Sequence, residues 1–121
     1  MASHLAFAAE FNVGVDDPWR IGEFYEMLLD SWRSSPDGSR SDPNASINVL
    51  GTVFGEYLVR HTSLQWVSAS DAEGTELAVH DSRSDLLVYP ANLVAKRWVK
   101  QDNGDFIPAI ASDIQERLQA L

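Results

Sequence analysis

The chain reads as a small α+β domain in which about four helices pack on a three-stranded antiparallel meander, in the order ααβββαα. Three observations predict this. Apolar residues recur at helical spacing in four separate stretches. Three short β-rich runs bounded by turn residues lie between the second and third of those stretches. The links between these runs are too short for crossover helices, so each run must turn back on the one before it. At 121 residues the sequence makes a single domain, 1–121, able to bury about two-thirds of its unfolded surface.

The first helix opens at Asp16-Asp17-Pro18, an acid at the cap followed by proline where its missing N–H does no harm. Ile21, Phe24, Tyr25, Leu28 and Trp32 follow at helical spacing and set its span near 18–33. The polar Ser34–Pro43 segment, rich in Ser, Pro and Gly, predicts a mobile loop over 34–44. Asn44 or Ser46 is the expected cap of a second helix, in which Ile47, Leu50, Phe54 and Leu58 share a side with Gly51 and Gly55. Each glycine costs a helix about 1 kcal/mol relative to alanine. Two on one stripe make sense where another backbone comes very close, and the Trp66 strand is the expected neighbour. The helix should end near Arg60-His61-Thr62.

Leu64–Ala69 reads as the first strand, Thr75–His80 as the second and Asp85–Tyr89 as the third. Ser70-Asp71-Ala72-Glu73-Gly74 supplies the first turn and Asp81-Ser82-Arg83-Ser84 the second. Pro90 stops the third strand. Residues 91–100 are helical in pattern, with Leu93, Val94, Arg97 and Trp98 on one side and Asn103-Gly104 at the exit. Ile107, Ile110, Ile114, Leu118 and Leu121 define a final helix opening near Pro108.

Taken in order, Leu50-Gly51, Gly55-Glu56, Trp66, Pro90 and Lys96-Arg97 resemble the pattern of a bacterial family known as domain of unknown function 3806, over about residues 46–107. The resemblance implies no activity and no cofactor. Gly51, Gly55, Trp66 and Pro90 are read, from the glycine spacing and the elements placed beside it, as close-packing positions.

Composition narrows the function classes. The chain has no cysteine, which excludes disulfides and thiolate metal sites and fits a reducing cytoplasm. The N-terminal Met1–Glu10 stretch has no basic segment ahead of its apolar run, so it is not expected to be a signal peptide. No run approaches the ~20 apolar residues that cross a bilayer. Eighteen acids against nine Lys and Arg give a net charge of −9, which repels nucleic acid and steers basic proteins inward. Lys96, Arg97 and Lys100 form a local basic patch.

Glu56 is the sharpest candidate for chemistry, because a carboxyl beside the sheet with a raised pKa would suit a general acid or base. The simpler alternative pairs it with Arg60 one helical turn on, or with Lys96 or Arg97 across an interface. His61 and His80 could join Glu56, Asp81 or Asp85 around a metal, yet no metal-binding spacing occurs, and none is expected. No nucleophile elbow, phosphate loop or dinucleotide fingerprint is present. Trp19, Trp32, Trp66 and Trp98 are expected in or near the core, with Trp19 the most exposed. The reading that follows is a non-enzymatic module that binds another protein, as an immunity protein, chaperone or adaptor does. It would use its acidic exterior or the Lys96, Arg97 and Lys100 patch. The alternative is a small hydrolase or ligand-binding enzyme using Glu56 with His61 or His80.

Overall fold

The computed structural model describes residues 1–36, 40–72 and 74–120. Its elements are α1 (Ala2–Ala9), α2 (Pro18–Arg33), α3 (Asn44–His61), β1 (Gln65–Asp71), β2 (Gly74–His80), β3 (Leu87–Val88), α4 (Pro90–Lys100) and α5 (Phe106–Gln119). The α+β class and the expected order hold, with one helix added ahead of them. Only Ala8 of α1 is buried, so this short helix carries no apolar stripe for a periodicity argument to find.

Helix α2 begins as its sequence predicts. The Asp17 carboxylate accepts from the Trp19 N–H at 3.0 Å and the Arg20 N–H at 3.4 Å. At α3 the expected caps give way: Pro43 holds the cap position, and the Asp42 carboxylate accepts the Asn44 N–H at 2.9 Å. Neither Asn44 nor Ser46 can serve, because the helix has already started at Asn44. Residues 37–39 of the expected loop lie outside the described residues. Its flanks are tied to α2, where the Trp32 Nε1–H donates to the Ser41 carbonyl at 2.8 Å and Arg40 lies over the Trp32 ring.

Ile47, Leu50, Phe54 and Leu58 of α3 are buried with Gly51 and Gly55, as their shared side leads one to expect, and the burial extends further around the helix. From Ile47 to Leu58 every residue but Asn48 and Glu56 is buried, so α3 is surrounded rather than laid on a surface. The glycines make this possible. A Cβ on Gly51 would sit 2.6 Å from the Ala91 Cα, so the backbone that approaches it belongs to the first turn of α4 and not to a strand. A Cβ on Gly55 would sit 2.7 Å from Cζ2 of the Trp66 indole and 3.1 Å from Cγ of Pro90. The strand expected here therefore reaches α3 through a side chain.

Strands β1 and β2 form a hairpin in register from Gln65↔His80 to Asp71↔Gly74, joined across residues 72 and 73; Glu73 lies outside the described residues. The third strand is shorter than the five residues expected. Asp85 takes a left-handed φ of 61°, and Tyr89 already caps α4, leaving only Leu87 and Val88 to pair with His80 and Val79. Helix α4 ends at Gln101, left-handed at φ 56°, where Gln101 and Asp102 N–H groups return to the Trp98 and Arg97 carbonyls. Asn103-Gly104 is thus not its stop. Gly104 instead presses on Gly22 of α2, and its N–H donates to Glu26 at 2.8 Å. Helix α5 opens two residues before Pro108, and Leu121 lies outside the described residues.

The far side of the core is aromatic. Tyr25 meets Phe106 edge-on at 4.9 Å and Trp98 at 6.0 Å, and Trp98 meets Trp32 at 5.7 Å. Among the described residues no helix is long and apolar enough to cross a membrane.

Alanine would ordinarily favour a helix by about 1 kcal/mol, but overpacking a filled site costs about 1–3 kcal/mol. At Gly51 the obstruction is backbone, which cannot swing aside. Gly51→Ala and Gly55→Ala are each expected to lower the melting temperature by about 5 °C, as read by thermal denaturation. An unchanged or higher melting temperature would contradict the packing described.

Candidate functional site

Trp66 joins the sheet to α3. Its ring occupies the space left open by Gly55, and its indole N–H donates to Glu56 Oε1 at 2.9 Å. The other carboxylate oxygen, Oε2, accepts Arg60 Nε at 2.9 Å, one helical turn away. Glu56 has 17% of its side chain exposed. The Trp66 N–H and then the Arg60 guanidinium stabilise the ionised form and hold the Glu56 pKa below the ordinary carboxylate value. A general acid at neutral pH needs the opposite shift, so Glu56 follows the simpler of its two readings, pairing with Arg60 one turn on.

An open cleft of about 550 Å³ lies beside this pair. Its helical wall comes from Asn48 and Thr52 of α3, with His4 of α1, whose Nδ1 lies 2.8 Å from Thr52 Oγ1. Thr75, Glu76 and Leu77 of β2 form the opposite wall, and Trp66, Pro90 and Ala91 also line the cleft. Thr52 is buried, and the imidazole of His4 supplies the hydrogen bond that it needs there. Among the described residues, Glu76 is the one acidic residue that lines the cleft, and neither Lys nor Arg lines it.

The basic candidates lie elsewhere. Arg97 pairs with Asp102 at 3.4 Å and lies over the Phe106 ring, rather than meeting Glu56. Lys96 lines a separate groove of about 360 Å³ with Leu87 and Arg117. Lys100 is exposed at the last residue of α4. Nor do the histidines converge on Glu56. His61 Nε2 lies 2.9 Å from Asp16 and its ring stacks on Tyr57, while His80 Nε2 lies 2.8 Å from Asp85. Among the described residues no three of His, Asp and Glu could hold a metal together.

Sequence reasoning gave little weight to Asp81, which is 2% exposed. Oδ2 accepts both the Ser84 hydroxyl at 2.7 Å and the Ser84 N–H at 3.0 Å, and Oδ1 accepts the Ser63 hydroxyl at 2.7 Å. These donors, the Ser84 hydroxyl foremost, bring its pKa from 3.8 down to about 2. An Asp followed three residues later by Ser is the local signal that could have marked this turn. Tyr25 moves the other way. Burial and then the Asp102 carboxylate push its phenol up to about 12, while its hydroxyl donates to the Asp102 carbonyl at 3.0 Å. Of the tryptophans, Trp98 is 2% exposed and Trp19 64% exposed, as expected of both.

The architecture is that of an α+β domain whose central helix is sealed by a tryptophan and a proline. The sequence model of a family described as Domain of unknown function (DUF3806) matches residues 28–109, and the chain belongs to that family. The match begins within α2, earlier than the resemblance over 46–107 implied, and runs into α5. No curated protein and no solved structure matches the chain.

Two outcomes test these assignments. Glu56→Gln keeps an acceptor for Trp66 and should cost less than about 1 kcal/mol, whereas Glu56→Leu strands the indole N–H and should cost about 1–3 kcal/mol in urea unfolding. Equal costs would show that the indole bond contributes nothing. Asp81 is more acidic folded than unfolded, so its contribution is complete above about pH 4 and disappears as pH falls through about 2. Asp81→Asn should flatten the acid limb of a stability–pH curve over that window; an unchanged limb would place the acid sensitivity elsewhere.

Proposed function

We propose that this domain is a non-enzymatic module that binds another protein through electrostatic attraction to its acidic surface, in the manner of an immunity protein, chaperone or adaptor, and that it works in the cytoplasm. One observation carries the reading. Arg20, Arg33, Arg60, Arg83, Arg97 and Arg117 each lie within 4.0 Å of a carboxylate of their own chain. Those six are two-thirds of the nine cations, so the unbalanced acids set the field that an approaching molecule meets. Such a field draws in basic protein surfaces and repels phosphate backbones.

The position of Glu56 supports the same reading. Its two oxygens accept from Trp66 and Arg60, which supports a structural role for this carboxylate over an acid–base one. The basic Lys96 and Lys100 are kept as a second, smaller contact region on α4.

The test is capture from a lysate of the source organism on immobilised protein. A specific protein should be retained at low ionic strength and released as salt is raised through about 0.5 M, where the screening length falls to a few ångströms. Retention of nothing specific at low salt would overturn the proposal.

A further inference from the structure

We infer that the outer edge of β2 at Thr75–Leu77 is a strand-docking site for an extended, lysine- or arginine-bearing peptide segment, which would continue the line of β3. The inference rests on the protein-binding reading above and names the site and the chemistry of the partner.

Backbone direction comes first. The Asp81 N–H donates to the Leu86 carbonyl at 2.9 Å, on the β3 side of β2. Backbone groups alternate between the two edges of a strand, so Val79, Leu77 and Thr75 project theirs the same way. Val79 pairs with Val88, and there β3 stops, because Tyr89 caps α4 and Pro90 begins it. Among the described residues, the Leu77 and Thr75 N–H and C=O groups therefore have no backbone partner on that edge. An added segment antiparallel to β2 would meet four aligned donors and acceptors, the hydrogen-bonding pattern of strand addition.

The surroundings provide a slot as well as an edge. Thr75, Glu76 and Leu77 line the cleft of about 550 Å³, within the ~300–1,000 Å³ usual for ligand sites. Across it stand Asn48, an exposed residue of α3, and the His4–Thr52 pair. Leu77 is 49% exposed and offers an apolar contact for a β-branched or aliphatic side chain of the guest.

Charge selects the occupant. Glu76 stands in the middle of the edge segment, among the described residues no Lys or Arg lines the cleft, and the whole chain carries −9. A cationic strand is attracted at every step of approach. A second copy of this chain would bring a second Glu76 and another −9, so edge-to-edge self-pairing is opposed.

The probe is a fluorescein-labelled decapeptide of alternating lysine and valine, with its glutamate–valine counterpart as the control. The lysine peptide should bind at low salt with Kd below about 1 mM and the glutamate peptide at least ~10-fold more weakly. Proline at position 75 or 77 removes an outward N–H without touching the β1–β2 ladder. Thr75→Pro and Leu77→Pro should each weaken binding at least ~10-fold, while Ser68→Pro, on the outer edge of β1, leaves it unchanged. Should either edge variant lose its far-UV dichroism, amide exchange on the unaltered chain decides: saturating peptide must slow exchange at Thr75 and Leu77. No binding to about 1 mM, equal loss in Ser68→Pro, or protection confined to other residues overturns the inference. In the lysate capture, a partner held equally well by folded Leu77→Pro overturns the edge assignment and leaves the protein-binding reading standing. Capture of nothing, with the probe still bound at Thr75–Leu77, overturns that reading and leaves the edge assignment standing.

Discussion

A helix can be surrounded on every side only if something lets its neighbours come close, and in α3 that something is the missing side chains at positions 51 and 55. The first turn of α4 approaches at Gly51, and the Trp66 ring with Pro90 fills the space at Gly55. Every other layer takes its place from this arrangement. Helix α1 is tied to the same rod by His4 on Thr52, and α5 by Gln115 donating to the Tyr57 hydroxyl. Burial on this scale leaves little tolerance for polar atoms. Thr52 and Glu56, polar residues in the enclosed stretch, each have a partner from another element, His4 and Trp66 respectively.

The electrostatics follow a different logic from the packing. Four of the six arginine pairs named above join residues three or four apart along a helix, and exposed pairs of this kind stabilise by a few tenths of a kcal/mol. Their effect on the exterior is larger than their effect on stability. By occupying arginines one by one, they leave the remaining carboxylates to define the long-range potential. Asp81 is the exception, buried among hydroxyls and an amide that together make its charge tolerable in the turn between β2 and β3.

Much of this fold was legible in the sequence because its physics is local. The Asp17-Pro18 start of α2 needs only its own first turn, and the hairpin needs only alternation and a turn. What was not legible depended on partners distant in the chain. Gly104 has the look of a helix stop, yet it is required because the Gly22 backbone lies against it. Gln101 takes the left-handed cap instead, which no propensity favours. The site divides in the same way. The pairing of Glu56 with Arg60 is a one-turn helical contact that spacing alone suggests. The direction of the Glu56 pKa was not readable, because it is set first by an indole arriving from another element. His4 was invisible for the related reason that α1 has almost no buried face of its own.

The unpaired edge is a consequence of the same contacts that close the core. Tyr89 and Pro90 end β3 after two residues, and Pro90 is also one of the groups that fills the space beside Gly55. Lengthening β3 to match β2 would carry Pro90 and Ala91 away from the glycine face of α3 and break the seat of α4. The fold can therefore pair the whole of β2 or pack α4 on α3, and not both with a chain that runs directly from one into the other. Packing wins, since it buries α3 on the side where its backbone is bare, and the cost is a stretch of β2 whose hydrogen bonds must be met by water or by another chain. A negative charge at Glu76, in the middle of that stretch, is what such an edge requires to remain unpaired with its own kind while staying open to a strand of opposite charge.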